Sequence, residues 1–169
     1  MIGKLNLLKH KILKLIRVEI TKRQVGSYQG KFWVNGPTRL SSTTHIGKNV
    51  HFNGMMVNGV GEVHIGDNFH SGTNCLIITS IHNYDLGTKI PYDATHIEKP
   101  VIIGDNVWLG DKVTILGKVT IGEGAIIQAG AVVIKDIPPG GIAGGNPAKV
   151  FKSRDMNHYN ELKSKGMFH

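Results

Sequence analysis

From Ile103 onward an aliphatic residue returns every six positions, at Ile103, Leu109, Ile115, Ile121, Ile127 and Val133. A second apolar or small series follows four residues behind, at Val107, Val113, Val119, Ala125, Ala131 and Ile137. Neither the period of an α-helix, about 3.6, nor the two-residue alternation of a simple strand sustains this pattern. Period six fits a short strand plus a corner. Three such units close a triangular coil of eighteen residues, and stacked coils lie about 4.8 Å apart, the ordinary interstrand spacing. Each coil buries its apolar face only against neighbouring coils, so the chain reads as an all-β parallel solenoid. Gly104, Gly110, Gly122 and Gly130 fall between the apolar positions, at expected corners where a glycine can adopt unusual backbone angles. The 22 glycines and 7% aromatic residues of this 169-residue chain suit a narrow interior with many tight corners.

An earlier stretch follows the same grammar more loosely, through Ile46 and Phe52 and then Ile65 after a one-residue slip. Its last units are "SGTNCL" and "IITSIH", ending at His82. The repeat resumes at Ile103, so residues 83–100 read as an excursion loop, a feature that is usually functional inside a regular solenoid. The ends differ in character. Leu5, Leu8, Ile12 and Leu15 make one helical face with Lys4, Lys11 and Lys14 beside it, and Asp155 to Lys165 reads as a short helix capping the solenoid end. The division expected is a basic helix over 1–26, a β-helix over 27–152 and a helical tail over 153–169.

Of the net charge of +8, residues 1–26 hold +6, from seven lysines and arginines against Glu19. Lysines interrupt the apolar residues every few positions, which excludes a signal-peptide core and a membrane span of about 20 apolar residues. A helix of this kind can lie on an anionic membrane surface or pack against the β-helix or a subunit partner. The charge is confined to one helix and no base-reading motif accompanies it, so nucleic acid is not an expected partner. Cys75 is the sole cysteine, which favours a reducing compartment and hence the cytoplasm, with peripheral contact at the inner membrane surface.

The run from Ile103 to Lys152, with "NVWLG", "KDIPP" and "GGNPAKV" in that order, and "TSIHNYD" at Thr79 to Asp85, closely resembles the hexapeptide-repeat acetyltransferases. Within that family it is most similar to the maltose, galactoside and capsular or exopolysaccharide O-acetyltransferases. The resemblance spans about residues 46–152. It implies a left-handed parallel β-helix, a homotrimer with active sites between subunits, acetyl-CoA as co-substrate, a sugar or glycan acceptor, and no metal. The left hand comes from the family, since the general crossover rule gives right-handed connections. The chain departs from maltose-type members by lacking their helical N-terminal segment with its acidic acceptor-contacting residue. The basic helix stands in its place, which favours a glycan, membrane-linked or not, over a small free sugar.

Acyl transfer to a hydroxyl needs a base, donors for the developing oxyanion and close placement of both substrates. His82 matches the family's catalytic histidine and sits where the loop departs; an imidazole titrates near pH 6.5, about where a general base works best. Asn83 and Asp85 are candidates for orienting the imidazole or binding the acceptor, and equally for turn formation at the loop start. Asn53 aligns with a sugar-contacting asparagine and serves equally as a corner residue. By resemblance Trp108 flanks the pantetheine arm, Gly110 permits close approach, the backbone N–H of Asp111 is the oxyanion donor, and the backbone of Ala129 contacts the CoA arm. Lys135, Lys149 and Lys152 align with family CoA contacts. In the ideal repeat His82 stacks with Thr120, and Trp108 holds the same position on an adjacent corner. Six extended residues span about 20 Å, so His82 and Trp108 of one chain stay apart and a neighbouring chain must unite them.

Three rival readings share this pattern. A zinc hydratase on the same helix would use His64, His70 and His82, but Gly87 stands where such enzymes place a further histidine. N-acetylation of an amino sugar nucleotide would use the same donor site. A catalytically silent solenoid would bind no CoA.

Overall fold

The computed structural model describes residues 2–169, with side chains from residue 6 onward. Met1 and the side chains of Lys4 and Leu5 lie outside this description. The chain begins with helix α1 (Ile2–Gln24). A first coil follows with strands β1 (Ser27–Tyr28), β2 (Phe32–Val34) and β3 (Thr38–Arg39), and a second with β4 (Thr44–Ile46), β5 (Val50–Phe52) and β6 (Met55–Asn58). The third coil comprises β7 (Val63–Ile65), β8 (His70–Ser71) and β9 (Cys75–Ile78), and is interrupted by a hairpin of β10 (Ser80–His82) and β11 (His96–Glu98). The fourth is β12 (Val101–Ile103), β13 (Trp108–Leu109) and β14 (Thr114–Leu116), and the fifth β15 (Val119–Ile121), β16 (Ile126–Ile127) and β17 (Val132–Val133). The chain ends with β18 (Gly141–Gly144), β19 (Lys149–Ser153) and helix α2 (Met156–Ser164).

Each coil gives one strand to each of three faces, all parallel within a face until β19 closes the second face antiparallel to β18. Residues in register form outward rows: Ser27, His45, His64, Ile102 and Thr120 on the first face, and Trp33, His51, His70, Trp108, Ile126 and Ile142 on the second. Both six-residue series point inward and are buried, forming one core with Phe32, Phe52, Phe69 and Ile77. The one-residue slip is a longer coil: His45 pairs with His64, nineteen residues on, where a regular coil takes eighteen.

One corner shows how local chemistry sets the path. Asn49, Asn68 and Asn106 stack there with φ of 54 to 58°, a left-handed conformation asparagine tolerates better than most residues. Their carboxamides form a ladder, Asn49 to Asn68 at 2.8 Å and Asn68 to Asn106 at 2.9 Å. Asn106 then donates to the Tyr159 hydroxyl of α2 at 2.7 Å, and that hydroxyl donates to Glu123 at 2.8 Å. Burial, then the Glu123 contact, pushes the Tyr159 phenol up to about 12, so it stays a donor. The next corner residue is Gly124, where a Cβ would strike the Tyr159 ring at 3.0 Å. The C-terminal helix therefore lies along the side of the solenoid, not across its end. What fixes it there is the reach of Tyr159 to an exposed ladder of polar groups, which hydrophobic periodicity does not report.

The excursion also differs from the ideal repeat. Thr79 still donates its N–H to Asn58 of the coil above, at 2.7 Å, and the chain then turns outward. His82 pairs with His96 across the hairpin, and Ile102 takes the place over Thr120 that regular spacing assigned to His82. The alternation in "IITSIH" suits a hairpin strand as well as a hexapeptide. Gly59, at φ +106°, makes room for the stem, since a Cβ there would lie 2.6 Å from the Ser80 hydroxyl.

Candidate active site

The hairpin leaves the corner between the third and first faces and holds His82 clear of the solenoid. The His82 ring stacks on Tyr92 (centroids 3.7 Å apart, planes 10° apart) and meets His96 at 4.6 Å. These flat neighbours hold the ring by its faces and leave its nitrogens at the edge. The loop beyond is organised by Asp93, whose carboxylate accepts from the N–H and hydroxyl of both Thr88 and Thr95 at 2.5 to 3.3 Å. Those bonds, the Thr95 hydroxyl first, hold the Asp93 carboxyl down to about 2. Asn83 accepts from the N–H of Leu86 at 3.0 Å, a turn bond. Asp85 is exposed, and among the described residues neither Asn83 nor Asp85 is hydrogen-bonded to the His82 ring. Leu86 and Ile90 are 88% and 95% exposed, an unusual cost for two aliphatic side chains on one loop.

The other candidates gather on the second face and its corner with the third. Trp108 projects outward, half exposed, in one row with Ile126, Ile142 and Lys152. Gly110 is required by stacking, because a Cβ there would lie 2.5 Å from the Ala129 nitrogen. At the next residue a pattern set by the earlier coils is broken. After a corner glycine, the following backbone N–H donates to a carboxylate one coil on: Lys48 to Asp67 (2.9 Å), Asp67 to Asp105 (2.8 Å) and Thr73 to Asp111 (2.7 Å). The N–H of Asp111 faces Ala129, which has no carboxylate, and among the described residues it has no acceptor. Asp105 shares that condition because its neighbour Glu123 is drawn away to Tyr159 and Lys163. Only Asp111 stands beside Trp108.

Asn53 sits at the same corner two coils earlier, donating to the Ser71 carbonyl at 2.7 Å and accepting from Asn35 at 2.9 Å, so its carboxamide is engaged in stacking the coils. Lys149 and Lys152 are exposed on β19, on the Trp108 side. Lys135 follows β17 at the corner from which the hairpin leaves, so one chain does not bring it to the other two lysines.

Sequence reading missed a row of rings. Trp33, His51 and His70 stack with centroids 4.3 Å apart, and His169 meets His70 edge-on at 5.1 Å. Burial, then His51 and His169, pushes His70 down to about 4, and burial also lowers His51. A groove of about 540 Å³ opens between this row and the C-terminal segment, lined by His70, Trp108, Leu162 and Phe168 among others. It adjoins Trp108 and does not reach His82. Among the described residues no three His, Cys, Asp or Glu side chains are placed to hold a metal ion. The stacked His45 and His64 lie on the first face, His51 and His70 on the second.

Residues 100–135 match the bacterial transferase hexapeptide family model. The galactoside O-acetyltransferase of Escherichia coli K12 is 33% identical over 150 residues, covering 85% of this chain and 72% of that protein. A solved galactoside acetyltransferase in complex with coenzyme A superposes with a TM-score of 0.72 at 31% identity, over 84% of this chain and 72% of that one. A maltose O-acetyltransferase from Clostridium difficile 630 gives 0.67 at 31% identity, over 82% and 75%. The shared architecture is the left-handed parallel β-helix.

Proposed function

The chain belongs to the hexapeptide-repeat acetyltransferases, and from that premise we propose that it transfers the acetyl group of acetyl-CoA to a hydroxyl of a sugar or glycan, in sites shared between the subunits of a homotrimer. His82 removes the proton of the acceptor hydroxyl as its oxygen attacks the thioester carbonyl. The C–S bond breaks, the new C–O bond is kept, and the proton passes from His82 to the CoA sulfur. The N–H of Asp111 points to the oxygen on which negative charge develops, where a donor already aimed needs no reorganisation. Trp108 walls the pantetheine arm, and Lys149 and Lys152 of that chain face the CoA phosphates together with Lys135 of a neighbour.

The observation that carries this reading is the division of one chain's chemistry between two corners. His82 hangs from one, on a loop whose aliphatic tips are exposed; the unpartnered Asp111 N–H and Trp108 stand at another. A neighbouring solenoid would cover Leu86 and Ile90 and supply the missing half of each site.

The test is a thiol-release assay with acetyl-CoA and a panel of sugars, nucleotide sugars and oligosaccharides, comparing wild type with His82→Ala. The expected loss of turnover is about 10² to 10⁴-fold with acetyl-CoA still bound. Full activity of the variant would remove His82 from the mechanism. Failure of wild type to bind acetyl-CoA would remove the transferase reading.

A further inference from the structure

Among the described side chains, those that hold helix α1 lie in its last turns. Val18 and Val25 pack against the core, Thr21 is buried, Arg17 donates to the Asn35 carbonyl at 2.6 Å, and Gln24 accepts from the N–H of Leu40 at 3.2 Å. From residue 6 to residue 16 every side chain except the half-buried Leu13 is exposed. Leu8, Ile12 and Leu15 stand at i, i+4 and i+7 on one face, and Ile16 and Ile20 continue it. These five aliphatic side chains are each about half exposed or more. The solenoid, which had been one candidate cover for this face, does not reach it.

Charge selects among the remaining covers. Lys9, Lys11 and Lys14 interleave with the aliphatic row, and Glu19, paired with Lys22 at 2.7 Å, is the single acid against seven cations in residues 1–26. A second copy would bring a helix of the same sign against this one. Among the described residues no helix is long and apolar enough to cross a bilayer. A helix that is aliphatic on one side, cationic at the margins and too polar to span is complementary to anionic headgroups over an acyl interior. Long lysine stems can lie along that boundary with their ammonium groups among the phosphates.

We propose that the exposed face of α1, centred on Leu8, Ile12 and Leu15, binds in the plane of an anionic lipid membrane and carries the β-helix to its surface. The inference is independent of which hydroxyl is acetylated. Its test uses the full-length chain floated with vesicles of phosphatidylcholine alone or of phosphatidylcholine with phosphatidylglycerol. Two variants accompany wild type: Leu8→Gln, Ile12→Gln and Leu15→Gln together, and Lys9→Gln, Lys11→Gln and Lys14→Gln together. Circular dichroism confirms that both retain the β-helix, and thiol release is followed separately, so a failed acetyltransferase reading and a failed membrane reading are distinguishable.

Wild type is expected to float with the anionic vesicles only, and each triple variant to partition at least about tenfold more weakly. Raised salt should release wild type, as surface charges are then screened. Absence of wild-type flotation, or equal flotation of wild type and both variants, would overturn the proposal. So would an aliphatic variant that falls to a smaller assembly while floating as wild type does, which would assign the face to a second copy of the chain.

Discussion

The backbone N–H of Asp111 depends on what residue 129 is not. Where Asp67, Asp105 and Asp111 stack on a neighbouring coil, their carboxylates accept the N–H that follows a corner glycine. Placing a carboxylate at residue 129 should do the same to Asp111. Ala129→Asp is therefore expected to fold with unchanged or slightly raised thermal stability and to lose about 10² to 10³-fold in kcat, the usual effect of losing one oxyanion donor. Thermal melts and thiol release measure the two effects separately. A second residue-scale expectation concerns acid. Unfolded, His70 takes up a proton near pH 6.5, whereas the folded chain resists until about 4. Between those values the unfolded state binds more protons, so stability falls as pH drops from about 6.5 to about 4 and levels off below. Melting temperature against pH should show this slope, and His70→Gln should flatten it. Motif and order single out His82 and Asp111 as candidates in the sequence. The row of Trp33, His51, His70 and Trp108 was not legible, because two of its three steps are nineteen and thirty-eight residues long instead of eighteen.

At the scale of elements, the hairpin β10–β11 and its loop decide where His82 stands. Asp93 ties Thr88 to Thr95 and so closes the loop that brings Tyr92 against the His82 ring. Asp93→Ala should leave the melting temperature nearly unchanged, since its bonds lie within the loop and not in the core, but should speed amide exchange across residues 84–95 and lower kcat with little change in the affinity for acetyl-CoA. Exchange measured by mass spectrometry alongside steady-state rates tests the pairing of the two effects. Strand and loop were legible here only in part. An excursion was evident from the broken period, yet its stem starts at Ser80, inside a segment that reads as a regular hexapeptide. Apolar alternation cannot distinguish a strand that stays in the coil from one that leaves it, because side chains alternate between two faces in both. Helix α2 was similarly legible as a helix and not in its place, which depends on Tyr159 finding Asn106 and Glu123 across some fifty and thirty-six residues of sequence.

The whole molecule is a stack in which position along the chain and position along the axis advance together, so the two six-residue series predicted the core of the later coils and the three faces. On the proposed mechanism, a complete site takes its halves from two chains. The division between the hairpin corner and the Trp108 corner leads to a quantitative expectation. Neither His82→Ala nor Trp108→Ala should sustain normal turnover by itself. When the two variants are co-expressed in equal amounts and assemble at random, a site takes its hairpin from one subunit and its Trp108 corner from the next. It is intact only when the first subunit carries the Trp108 substitution and the second the His82 substitution, which holds for about a quarter of sites in a closed ring. Thiol release by the mixed protein should recover to about that fraction of wild type, far above either variant alone. If each chain instead completed its own site, every site would carry one lesion and mixing would restore nothing. Recovery thus depends on which chain meets which, so it tests the proposed ring and its shared sites directly.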